Sequence, residues 1–222
     1  MTRRPRLSTV LSWIWVAAGI TVAFSAAETS ALAGEKDDVY ISLYALGSWP
    51  ADRDAMVRGA AASGTRLENG VGAGIKVAIF PEVTKRMVGI ELESYGHGTE
   101  ISFALGSGHG PSTRGATDLI VMNSMINVVA RYPGAAIQPY GGVGIGVSQG
   151  YVHGADIPGR ADRDFESSTA FGHQFLAGLQ VTLSPRLFAF GEYKYFSANY
   201  HWAGLSLDFR AQYAVLGVGM RF

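Results

Sequence analysis

Five histidines and no cysteine set the chemistry available to this chain. Without thiolates, a zinc site built on Cys, a thiol nucleophile and a disulfide framework are all excluded. Imidazoles and oxygen donors remain. His97 stands between Glu93 and Glu100, Asn199, His201 and Asp208 follow one another closely, and His173 lies between the two groups. Donors of this kind suit a divalent transition metal, which makes His97, His173 and His201 the candidate ligands and that metal the candidate cofactor. No HExxH or other spaced motif accompanies them. The plain alternative for each is a solvated surface histidine. Ser197, His201 and Asp208 also supply the hydroxyl, imidazole and carboxylate of an acyl-transfer site. His201, Asp208 and Glu93 are the candidate catalytic residues.

A second set of charges, Lys76, Glu91, Glu93, Arg131, Glu192, Lys194 and Arg221, falls at alternate positions of segments whose other parity is apolar. Tyr213 to Phe222 has Ala214, Leu216, Val218, Met220 and Phe222 on one face. Tyr213, Val215, Gly217, Gly219 and Arg221 make the other. The same alternation recurs in seven more segments: Val39 to Trp49, Val71 to Phe80, Met87 to Tyr95, Leu119 to Tyr132, Gln138 to Ser148, Ser168 to Leu183 and Leu187 to Phe196. Strands with a nearly uncharged face and a mixed polar face read as lipid on one side and a packed interior on the other. In Gln138 to Ser148 the inward positions include Gly142, Gly144 and Gly146, which leaves room for large inward neighbours.

The connections alternate as well. They are long after the first, third and fifth strands, short after the second, fourth and sixth, and moderate (Ser197 to Leu207) after the seventh. Short turns on one side and long loops on the other, with strands near ten residues, predict an all-β, eight-stranded, antiparallel, up-and-down transmembrane barrel. Side chains fill the lumen of a barrel this small, so the seven inward charges should pair into an internal network with no open pore. The topology puts His97 and His109 in the second long loop and His153 in the third. His173 falls near the outer start of strand six and His201 in the last loop. Tyr132, Tyr193, Tyr195, Trp49 and Phe222 are placed as interfacial aromatics.

The 222 residues carry 18 basic and 18 acidic side chains, 16% charged residues in all, with 29 glycines. That composition is neither disordered nor disulfide-stapled. Arg3, Arg4 and Arg6 precede an apolar run from Val10 to Phe24, followed by Ser25, Ala26 and Ala27. This is the pattern of a secretory signal peptide over residues 1–27, with a second cleavage motif that would extend it to 33, leaving a barrel domain over 34–222. Removing three arginines leaves 15 basic against 18 acidic side chains, a net charge of about −3. No nucleic-acid partner is expected from that balance. With no long apolar segment after the signal, a closed barrel is the remaining way to span a membrane.

A chain ending on an aromatic strand resembles bacterial outer-membrane β-barrel proteins, in which that strand is the assembly signal. The resemblance implies an integral outer-membrane location and the barrel assembly machinery as a partner; a monomer is expected. The stretches GIELESYGHG (Gly89 to Gly98), NSMINVVARYP (Asn123 to Pro133), QPYGGVGIGVS (Gln138 to Ser148), GHQFLAGLQ (Gly172 to Gln180) and FGEYKYFSANYHW (Phe190 to Trp202) resemble α-proteobacterial barrels of the lipid A oxidase type. That resemblance implies lipid A as partner and oxygen-dependent oxidation of its proximal glucosamine to 2-aminogluconate. It carries over no catalytic residues. Two other functions stay open: a non-catalytic structural or surface-interaction barrel, and a lipid A deacylase. The order Ser197, His201, Asp208 departs from the His-x-Ser spacing of the deacylase family.

Overall fold

A computed structural model describes residues 37–50, 55–57, 60–62, 66–105, 113–153, 165–202 and 205–222. The signal peptide expected over 1–27 or 1–33, and His109, lie outside the described residues. Eight long strands build the molecule: β1 (Asp38–Pro50), β2 (Gly70–Phe80), β3 (Val88–Leu105), β4 (Thr113–Arg131), β5 (Ile137–His153), β6 (Phe165–Thr182), β7 (Leu187–Trp202) and β8 (Leu205–Arg221). Each pairs antiparallel with its sequence neighbour, and β1 pairs with β8, from Tyr40 opposite Arg221 to Pro50 opposite Ala211. The sheet therefore closes on itself and leaves no edge among these strands.

The stagger of this closure follows from the register. From Arg210 on β8, the row of opposed outward residues passes through Ser197, His173, Ile145, Ile126, Leu92, Val77 and Ile41. It returns to β8 at Met220, ten residues beyond its start. Eight strands with that shear tilt by roughly 40°. On β8 the outward apolar run from Ala214 to Phe222 then spans about 20 Å of membrane thickness.

Exposure decides between a membrane barrel and a soluble one. Outward residues such as Leu216 (74%), Leu43 (61%) and Ile145 (57%) are bare, whereas inward Lys76 (2%) and Glu91 (1%) are covered. A soluble barrel would reverse the two faces. Inward glycines make room for large partners, as at Gly144, where a Cβ would stand 1.9 Å from Asn127 Oδ1.

The strands are longer than the hydrophobic alternation indicates. β3 runs on to Leu105, β4 begins at Thr113, β5 reaches His153 and β6 begins at Phe165. The expected moderate loop from Ser197 to Leu207 is instead the paired outer ends of β7 and β8, from Ser197 opposite Arg210 to Trp202 opposite Leu205. Beyond the bilayer a hairpin needs only its backbone hydrogen bonds, so it continues without an apolar face. The expected loop after β1 holds short paired pieces: 55–57 lies against β8, 60–62 against 55–57, and 66–67 against β3. The short turns stand as expected, the first with a 3-10 turn at Glu82–Thr84. Tyr193 lies in mid-strand opposite Ala177 and Ala214, away from either end.

Candidate functional site

The middle of the barrel holds two lysines and three glutamates: Lys76, Glu91 and Glu93 from the neighbouring strands β2 and β3, and the pair Glu192 and Lys194 from β7 across the lumen. Lys76 Nζ lies 2.7 Å from Glu192 Oε2, 3.2 Å from Glu91 Oε1 and 3.5 Å from Glu93 Oε1. Lys194 pairs with Glu93 and lies 3.4 Å from Glu192 Oε1. Tyrosines and amides satisfy further lone pairs. Tyr40 donates to Glu91 at 2.8 Å, Tyr44 to Glu93 at 2.5 Å and Tyr140 to Glu192 at 2.9 Å. Asn127 donates to Glu91 at 2.9 Å, and Gln174 to Glu93 at 2.8 Å and to Asn127 at 2.7 Å. Buried charge persists only when paired and hydrogen-bonded in this way. Beside the cluster, a cavity sized for about one water is lined in part by Ser42, Lys76, Glu91, Tyr140 and Gln180.

Arg131 and Arg221 are inward but stand apart from that cluster, at the short-turn end. Both meet Asp38, at 2.5 Å and 3.8 Å respectively, and Arg131 also donates to the Arg86 carbonyl at 3.0 Å. Asp38 is a partner that sequence reasoning missed, because it lies at the strand's first position, where parity carries little signal.

The candidate histidines do not converge. His97 is not in a loop: it is an inward residue of β3, 3% exposed, stacked on Phe209 at 6.0 Å and edge-on to Tyr213 at 5.2 Å. Both its ring nitrogens lack a hydrogen-bond partner among the described residues. His173 and His201 are on the outward parity of β6 and β7. Ser197 is opposite His173, and His201 stands four residues farther along β7, a separation of roughly 13 Å. One imidazole inside the wall and two outside it cannot share an ion. Among the described residues no group of three or more His, Asp or Glu side chains is placed to hold a metal. The expected trio is corrected accordingly, because the strand pairing that extends β3 turns His97 inward.

The catalytic candidates are likewise dispersed. Glu93 belongs to the internal cluster, whereas Asp208 faces outward opposite Asn199, diagonal to His201. The Asp208 carboxylate is taken by Arg210 at 3.0 Å. With Ser197 four residues from His201 on one strand, the hydroxyl, imidazole and carboxylate of an acyl-transfer triad are not assembled. Sequence reasoning also missed an inner group near the outer end, where Ser148 Oγ contacts Asn123 Oδ1 at 2.5 Å and bonds Tyr200. The inward parity of Asn123 and Ser148 was the available signal.

A closed barrel with a bare apolar belt and a plugged lumen defines an integral outer-membrane protein. Residues 18–222 match the model of the outer membrane protein beta-barrel domain, and the chain belongs to that family. The fold is similar to Neisserial surface protein A, at 14% identity over 83% of this chain and 97% of that one, with a TM-score of 0.53. It is equally similar to the outer membrane protein OprG from Pseudomonas aeruginosa, at 16% identity over 86% and 96% of the two chains, TM-score 0.53. No curated protein matches the chain.

Proposed function

We propose that this protein works at its outer surface on the lipid of the outer leaflet, and that its reaction is the oxygen-dependent oxidation of the proximal glucosamine of lipid A to 2-aminogluconate. The carrying observation is the filled lumen: Lys76, Lys194, Glu91, Glu93 and Glu192 plug the barrel at mid-height, which leaves the wall and outer end as working surfaces. The reaction itself rests on the resemblance of five strand segments to lipid A oxidases. A divalent metal remains part of this proposal only with ligands other than the three histidines together. Lipid A from cells with the gene should gain one oxygen on the proximal sugar relative to cells without it, read by mass spectrometry. An unchanged mass would sink the oxidase reading, and loss of an acyl chain would replace it with deacylation.

A second reading, a non-catalytic structural barrel, is favoured by the dispersal of His201, Asp208 and Glu93. It is the outcome if lipid A is unchanged while the envelope of cells lacking the gene becomes permeable to detergent. In either case we propose that the last strand, ending at Phe222, is what the barrel assembly machinery engages. Phe222→Ala should lower the amount of folded protein in the outer membrane several-fold, read by heat-shifted migration on gels; unaltered insertion refutes that role.

A further inference from the structure

The outward apolar belt is interrupted on β6–β8. His173 lies on the outward face of β6 between Phe171 and Phe175, which are 68% and 55% exposed. Its cross-strand neighbours are Ile145 on β5 and Ser197 on β7, and Ser197, small and covered by the side chains around it (7% exposed), in turn faces Arg210 on β8. Toward the outer end stand Asn199 and Asp208, opposite each other, and toward the short-turn end Gln212 pairs with Tyr195. Around the rest of the barrel the same row holds Ile145, Ile126, Leu92, Val77 and Ile41. A polar group set among exposed phenylalanines and isoleucine is costly in hydrocarbon unless something hydrogen-bonds to it. Among the described residues His173 makes a ring-edge contact with Phe175 at 6.3 Å, and its side chain is exposed on the outward face.

The row descends toward the short-turn end as it passes from β8 to β6, so His173 sits roughly 6 Å deeper than Arg210. Arg210 therefore stands farther toward the headgroup side of the outer leaflet, and His173 nearer the apolar belt. Asp208 engages two nitrogens of the Arg210 guanidinium, Nε at 3.3 Å and an Nη at 3.0 Å, from the outer side. Tyr195 on β7 is a further hydrogen-bond partner of the same guanidinium, whose five N–H donors still leave capacity for an anion beside these two. We propose that His173, Ser197 and Arg210 form a docking site for a phosphorylated glycolipid headgroup: its phosphate lies against Arg210 and its sugar hydroxyls against His173, over the small Ser197 side chain between them. The proposal deepens, and rests on, the reading that the chain works on lipid A.

The test reconstitutes the mature protein in nanodiscs of phosphatidylethanolamine and phosphatidylglycerol doped with lipid A that carries one phosphate, on its distal sugar, and a free anomeric hydroxyl on the proximal one. Retained lipid is counted by native mass spectrometry after mild detergent release. The wild type should hold lipid A about tenfold over phosphatidylglycerol, and Arg210→Gln and His173→Leu should each remove most of that preference. Ser124→Leu, outward on β4, should keep it. Heat-shifted migration verifies folding, and the two single variants report independently if one fails to fold. Dephosphorylated lipid A should lose the part of the preference that depends on Arg210. Equal retention by the wild type and the variants, or equal retention of lipid A and phosphatidylglycerol by the wild type, overturns the site. Preferential retention together with lipid A of unchanged mass in cells still supports the site and removes only the oxidation.

Discussion

Lys194 is fully buried between Glu93 and Glu192, and it shows how single residues carry the interior. Three carboxylates share two ammonium groups there, so each cation is worth more than each anion. Removing one partner of a buried pair leaves an unpaired charge and costs about 3–5 kcal/mol. Lys194→Met should therefore lower stability by that amount, measured as the urea unfolding midpoint in lipid vesicles. Glu91→Gln reduces the excess negative charge and leaves Lys76 with Glu192 at 2.7 Å, so it should cost under about 1 kcal/mol. If both variants lose the same stability, this apportioning of the cluster is wrong.

β5 works through what its glycines omit. Gly144 faces Asn127 and Gln174, whose side chains fill the space a Cβ would take. Gly144→Ala should push Asn127 off its bonds to Glu91 and Gln174 and cost about 1–3 kcal/mol, the usual penalty of overpacking. Gly98→Ala is the matched control, since nothing lies within 4 Å of its Cβ position. Its unfolding midpoint should be near that of the wild type, and a large loss there would show that backbone rather than packing governs these positions. The outer ends of β7 and β8 are the converse case. Their pairing continues through Asn199, His201 and Asp208, where polar residues on the outward face hide a strand from any search for hydrophobic alternation.

The closed and filled barrel has a functional consequence for the whole molecule. The charge cluster and the aromatic layer of Tyr95, Phe196 and Tyr213 fill the lumen among the described residues, which predicts that ions do not pass. Planar bilayers carrying the purified protein should show no single-channel steps. Steps that persist across preparations would mean the plug opens, and would turn attention from the wall to the lumen. The docking site and the plug belong together at this scale, since a barrel that does not conduct has its wall and rim to work with.

Hydrophobic alternation is a local, period-two signal, which is why the chain alone determined the barrel class, the short-turn side and the inward parity of Lys76, Glu91, Glu93, Arg131, Glu192, Lys194 and Arg221. Which of these meet was decided by closure and shear. Lys76 finds Glu192 across 116 positions of sequence, and Arg131 and Arg221 find Asp38 instead of the central glutamates. The histidines mark the limit most clearly. No residue type near His97 announces that β3 continues past the bilayer, yet that continuation turns its ring into the barrel, while β6 and β7 turn His173 and His201 toward the membrane side. Alternation tells which parity faces lipid, but only the pairing of whole strands fixes where a strand ends and which side chains stand in one row.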